Sequence, residues 1–129
     1  MEIVLTKQES ENYFHTALCN GLGYMGGYGL ELEYKQEEYK AAREQIKSTG
    51  NSPCYEDVLL EILKMGGSLT FVDIECEGEY SRTISLADVH ERVAKTPIEH
   101  LMDMIKETDD AVTADVLIQT VFFEEVIFG

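Results

Sequence analysis

The sequence predicts an α+β fold: a small antiparallel sheet covered by several helices, in a single domain spanning residues 1–129. Three observations carry this reading. The chain is 44% apolar, and 129 residues suffice to enclose one core. Two stretches, Tyr28 to Tyr34 and Leu69 to Ile84, have the two-residue alternation of half-buried strands. The remainder is punctuated by helix-start signals. Strands and helices mix along the chain without a repeat, which favours α+β over a regular βαβ array.

Taken in order, Met1 to Leu5 is expected to form a short strand. Thr6-Lys7-Gln8-Glu9 has the spacing of a capping box, in which the Thr hydroxyl and the Glu carboxylate each take a free backbone N–H. A helix should follow to about Asn20, with Tyr13, Phe14, Ala17 and Leu18 inward, and Gly21 should end it. Gly21 to Gly29 holds five glycines and is expected to be an irregular loop. The strand of Leu30 and Leu32 comes next, then a polar helix over Lys35 to Ser48.

Ser52-Pro53 reads as a cap and first helical residue, opening a helix through Val58, Leu59, Ile62 and Leu63 that Gly66-Gly67 stops. Leu69 to Ile84 is expected to be a β-hairpin turning at Glu77-Gly78. Ser85, with Asp88 three residues on, starts another helix. Thr96-Pro97-Ile98-Glu99 starts one more, with Thr96 as its cap. Thr108-Asp109-Asp110 opens a last helix that is apolar nearly all round, as a helix surrounded by its own core should be.

Charge narrows the function. There are 25 acidic and 10 basic residues, for a formal net charge of −15. Phosphate recognition needs clustered Lys and Arg, and here they stand singly, so direct nucleic-acid binding is excluded. Anionic membranes are excluded by the same sign. The N-terminus lacks the basic and apolar regions of a secretory signal. Three cysteines at unrelated spacings, Cys19, Cys54 and Cys76, suggest free thiols and a cytoplasmic location.

Four patterns in the chain bear on chemistry. Gly21-Leu22-Gly23-Tyr24-Met25-Gly26 matches a dinucleotide fingerprint, but a helix precedes it and a strand follows, the reverse of what pyrophosphate binding requires. Asp73-Ile74-Glu75-Cys76-Glu77-Gly78 mimics the opening of a calcium loop. The twelfth position is Ile84 where a bidentate Glu is needed, so that reading fails. Asp73 is expected on a solvated strand face, paired across the hairpin with Arg82. His15 and Cys19 share a helix face, while His90 and His100 belong to other helices. No zinc spacing such as C-x-x-C or H-E-x-x-H is present, so no metal and no cofactor is assigned. No nucleophile elbow is present either, and the negative field raises thiol pKa values, which disfavours thiolate catalysis.

The expected function is therefore binding to a protein partner, without catalysis. A negative surface steers association with a basic partner, one version being a mimic of nucleic-acid phosphates. The candidate face comprises Glu31, Glu33, Glu37, Glu38, Asp73 and Glu75, with Tyr24 and Tyr28 as candidate aromatic contacts. One rival is a small-molecule- or metal-binding enzyme with its site near the Gly21–Gly29 loop, His15 and His90. Another is a structural homo-oligomer, with Val116–Phe128 sealing a homodimer; alternatively, the last residues, Val126-Ile127-Phe128, add an edge strand to the sheet.

Overall fold

A computed structural model describes residues 3–129 and has the α+β architecture that the sequence predicts. The first helix, α1 (Lys7–Gly27), starts at the expected capping box: the Glu9 N–H donates to Thr6 Oγ1 at 3.0 Å, and the Thr6 N–H donates to Glu9 Oε1 at 2.8 Å. Strand β1 (Leu30–Glu33) and helix α2 (Gln36–Ser48) lie where expected. They are followed by α3 (Tyr55–Lys64), β2 (Leu69–Asp73) and β3 (Arg82–Ile84). Then come α4 (Leu86–Arg92), a single 3₁₀ turn (Val93–Lys95), α5 (Ile98–Ile105) and α6 (Ala111–Phe123).

The strands form one antiparallel sheet in the order β1-β2-β3. Its register places Glu31 opposite Val72 and Glu33 opposite Thr70, with Thr70 opposite Thr83. Strand side chains alternate between faces, so the open face carries Glu31, Glu33, Thr70 and Thr83. The hydroxyls of Thr70 and Thr83 hydrogen-bond across that face at 2.8 Å. The opposite face buries Leu30, Leu69, Phe71 and Ile84 beneath the helices. There Phe71 meets Phe122 of α6, with ring centroids 4.2 Å apart.

Helix α6 is the centre of the core. Ala114, Leu117, Ile118, Val121 and Phe122 are fully enclosed by the chain's own elements, and α1 lies along it. A place in the core is one of the two that the sequence allows for this apolar helix, the other being a homodimer interface. Its cap is Asp110, whose Oδ1 accepts from the Thr113 N–H at 2.9 Å.

Six local expectations are corrected. The segment Gly21 to Gly27 is helix, not loop. A Cβ on Gly21 would come within 2.8 Å of Ala114 Cβ and 2.9 Å of its backbone, so only a glycine lets the two helices approach this closely. Tertiary packing here overrides glycine's weak helix propensity. Ile3 to Leu5 lie outside any strand, while Met1 and Glu2 fall outside the described residues.

Helix α3 is capped by Cys54 rather than Ser52, because Asp57, three residues on, takes the Cys54 N–H at 3.2 Å. Helix α5 is capped by Pro97, not Thr96; the Pro97 carbonyl accepts from His100 and Leu101, both at 3.0 Å. The β2–β3 turn does centre on Glu77-Gly78, both with positive φ, but the ladder ends well before it, leaving residues 74–81 as a loop. Val126 to Phe128 add no edge strand; they return to α6 through Gln119.

Candidate functional site

The β2–β3 loop is shaped by one carboxylate. Asp73, only 4% exposed, accepts the N–H groups of Cys76 at 2.9 Å, Glu75 at 3.0 Å and Tyr80 at 3.2 Å. The Cys76 donor leads in holding its carboxyl below the ordinary range, and the other two donors add to it against an opposing cost of burial. Asp73 is thus neither solvated nor paired with Arg82, as the sequence reading had it. Arg82 stands opposite Phe71, and its Nη1 donates to the carbonyls of Ser81 at 2.8 Å and Glu79 at 3.2 Å. The physical reason is that an Asp at a strand end gains more from three free loop N–H groups than from one exposed ion pair.

With Asp73 holding the base, the loop turns Glu75, Glu77 and Glu79 outward. Ile74 sits among them and is 63% exposed. The loop lies at the start of β1: the Ile74 N–H donates to the Gly29 carbonyl at 2.9 Å, and the Glu75 side chain lies against Gly29, where a Cβ would come within 2.6 Å of it. From there Glu31 and Glu33 continue along β1, about 7 Å apart by strand geometry. The negative field is felt locally. The Cys76 thiol is pushed up first by burial, then by the charges of Asp73, Glu79 and Glu75.

Ion pairs among the described residues engage Glu11, Asp57, Glu61, Asp88, Glu91 and Glu124. None of them reaches Glu31, Glu33, Glu75, Glu77 or Glu79. Glu37 is exposed in the first turn of α2. Glu38 is drawn inward between α2 and α3, against Gly67, and its Oε1 is buried with no hydrogen-bond partner among the described residues. The candidate face therefore divides: Glu31 and Glu33 lie along the open face of β1, Glu75 in the loop beside its start, Glu37 and Glu38 on α2, and Asp73 is internal.

The two aromatic candidates also part. Tyr24 is exposed on the glycine-rich turn of α1. Tyr28 turns inward, stacking on Phe128 with centroids 5.0 Å apart and donating to Asp115 Oδ2 at 2.5 Å. That hydrogen bond, reinforced by burial, pushes its hydroxyl up to about 12.

The histidines do not converge. His15 pairs with Asp57 at 2.7 Å, His90 with Glu11 at 2.8 Å, and His100 lies 3.4 Å from Thr113 Oγ1. The rival reading, an enzyme site near the Gly21–Gly29 loop, loses most of that loop, since Gly21, Gly23, Gly26 and Gly27 lie in α1.

Sequence reasoning missed Ile74, Glu77 and Glu79 as part of this end of the molecule. The signal available was the apolar residue isolated in an acidic run, but its exposure depends on where the ladder stops. No helix of the described residues is long and apolar enough to cross a membrane. No protein-family model matches the chain, and neither a curated protein nor a solved structure is significantly similar to it.

Proposed function

We propose that this protein acts by binding the basic surface of another protein, through the end formed by the β2–β3 loop and the open face of β1. One observation carries the reading: five exposed carboxylates, Glu31 and Glu33 on the open face of β1 and Glu75, Glu77 and Glu79 in the loop that carries the exposed Ile74, have no ion-pair partner among the described residues. An apolar anchor within a charged rim is the usual anatomy of a protein interface. Unneutralised carboxylates accelerate encounter with a basic patch and reject acidic ones. Basic surfaces that receive nucleic-acid phosphates belong to this partner class, and carboxylates stepping along a strand suit them.

The test is affinity capture at low ionic strength with the wild type and with a Glu31→Gln, Glu33→Gln, Glu75→Gln triple variant, partners being identified by mass spectrometry. The expected result is a basic protein recovered by the wild type, released by salt and lost from the variant. Recovery of the same partner by both proteins, or of none by either, overturns the proposal.

A further inference from the structure

Two helices meet at a second group of chemistry-bearing side chains, away from the acidic end. Helix α1 contributes His15; the first turn of α3 contributes Cys54 and Asp57. The donor atoms of these three residues all lie within 4.8 Å of one another. Asp57 divides its carboxylate: Oδ2 takes the Cys54 N–H at 3.2 Å, while Oδ1 faces His15 Nε2 at 2.7 Å. Capping α3 thus fixes the carboxylate, and the carboxylate orients the imidazole.

We propose that His15, Cys54 and Asp57 form a binding site for a divalent transition metal of the zinc class, joining α1 to the start of α3. The donor types decide the class. Thiolate, imidazole and carboxylate together suit zinc, whereas calcium and magnesium take oxygen alone. In a tetrahedral zinc site, bonds of about 2.0–2.3 Å place neighbouring donors roughly 3.3–3.8 Å apart. The His15–Asp57 hydrogen bond would open from 2.7 Å and the widest pair would close from at most 4.8 Å, shifts of up to about 1.5 Å.

The fourth position of a tetrahedral site is left to water or to Cys19, which stands outside the group of three clustered donors. Cys19 lies one turn beyond His15 on the same face of α1. Its thiol is exposed. The spacings are regular: His15-x-x-x-Cys19 on one helix, Cys54-x-x-Asp57 at the start of the other.

Access is open. Cys54 is exposed, and His15 and Asp57 line a cavity of 310 Å³ with Ile46, Leu60 and Lys64. The net charge of −15 that opposes thiolate chemistry without a metal favours capture of a cation. On binding, the Cys54 S–H bond is replaced by a metal–sulfur bond and the proton leaves to solvent.

The test is titration of the reduced protein with Co²⁺, read by the thiolate-to-cobalt absorption band, followed by displacement with Zn²⁺. The wild type should give a saturable one-to-one band that Zn²⁺ abolishes. Cys54→Ser keeps a capping side chain, so α3 should still form, which circular dichroism checks. This variant and His15→Gln should weaken binding by more than about a hundredfold, the upper end of losses caused by altering only outer partners. Cys76→Ser, on the remote β2–β3 loop, should bind as the wild type does. No band in the wild type, a band unchanged in Cys54→Ser, or a band lost in Cys76→Ser overturns the proposal.

Discussion

The side-chain amide of Gln119 pairs with the backbone of Phe128 as a neighbouring strand would. Its Nε2 donates to the Phe128 carbonyl at 3.2 Å, and its Oε1 accepts the Phe128 N–H at 2.9 Å. The same Oε1 takes the Ile127 N–H at 2.9 Å, and Nε2 also reaches Asp115 Oδ1 at 2.8 Å. Gln119 is fully buried in α6, so a polar residue in the core is satisfied by the chain end it holds. Phe128 is thereby kept against Tyr28, Tyr80 and Phe123.

Replacing Gln119 with Leu should therefore release the C-terminal segment. The Ile127 and Phe128 N–H groups lose their acceptor, at a cost of roughly 2–3 kcal/mol. Urea unfolding should show the loss. Hydrogen exchange should accelerate at Ile127 and Phe128 while the sheet stays protected.

The glycines of α1 should respond in opposite directions. Gly21→Ala forces a methyl into Ala114 and should destabilise by roughly 1–3 kcal/mol. Gly23 has nothing within 4 Å of its missing Cβ, so Gly23→Ala should stabilise by about 0.5–1 kcal/mol. Thermal melts of the two variants check this pair.

Acid should weaken the fold partly through Asp73. Its three N–H donors hold the folded-state pKa below the ordinary 3.8. A depressed carboxyl contributes stability that is complete above the unfolded value and is lost as pH falls through the folded one. Stability measured in urea should thus fall as pH drops below about 3.8, and more steeply for the wild type than for Asp73→Asn, because the amide cannot titrate. Asp57, also depressed by the Cys54 and His15 hydrogen bonds against the cost of its own burial, adds to the same window.

Salt should act with opposite signs on folding and on partner binding. Raising ionic strength from about 0.01 M to about 0.15 M shortens the Debye length from roughly 30 Å to roughly 8 Å. Screening of a −15 chain relieves self-repulsion and should raise Tm, while the same screening should slow association with a basic partner. Differential scanning fluorimetry and surface plasmon resonance across that range separate the two effects.

Local chemistry was legible wherever it was decided within a few residues. The capping boxes at Thr6–Glu9 and Ser85–Asp88, the alternation of β1, the Glu77-Gly78 turn and the apolar α6 all follow from short-range spacing. The caps at Cys54 and Pro97 were displaced from the expected Ser52 and Thr96 because several nearby residues compete for the same role. Of the candidate face, Glu31, Glu33 and Glu75 were readable as exposed acids. Asp73 was not, because its fate depends on where the strand pairing stops.

By itself, then, the chain's order of residues determined an acidic α+β protein with an apolar C-terminal helix, since hydrophobic period and charge are local properties. Only the tertiary structure decided that seven glycine-rich positions continue a helix, that Gln119 holds the chain end, and that His15 meets Cys54 and Asp57. The first and last of these depend on contacts between segments far apart in sequence, and the second on a reversal of the chain after α6. There, close packing and the need to satisfy every buried polar group outweigh local preference.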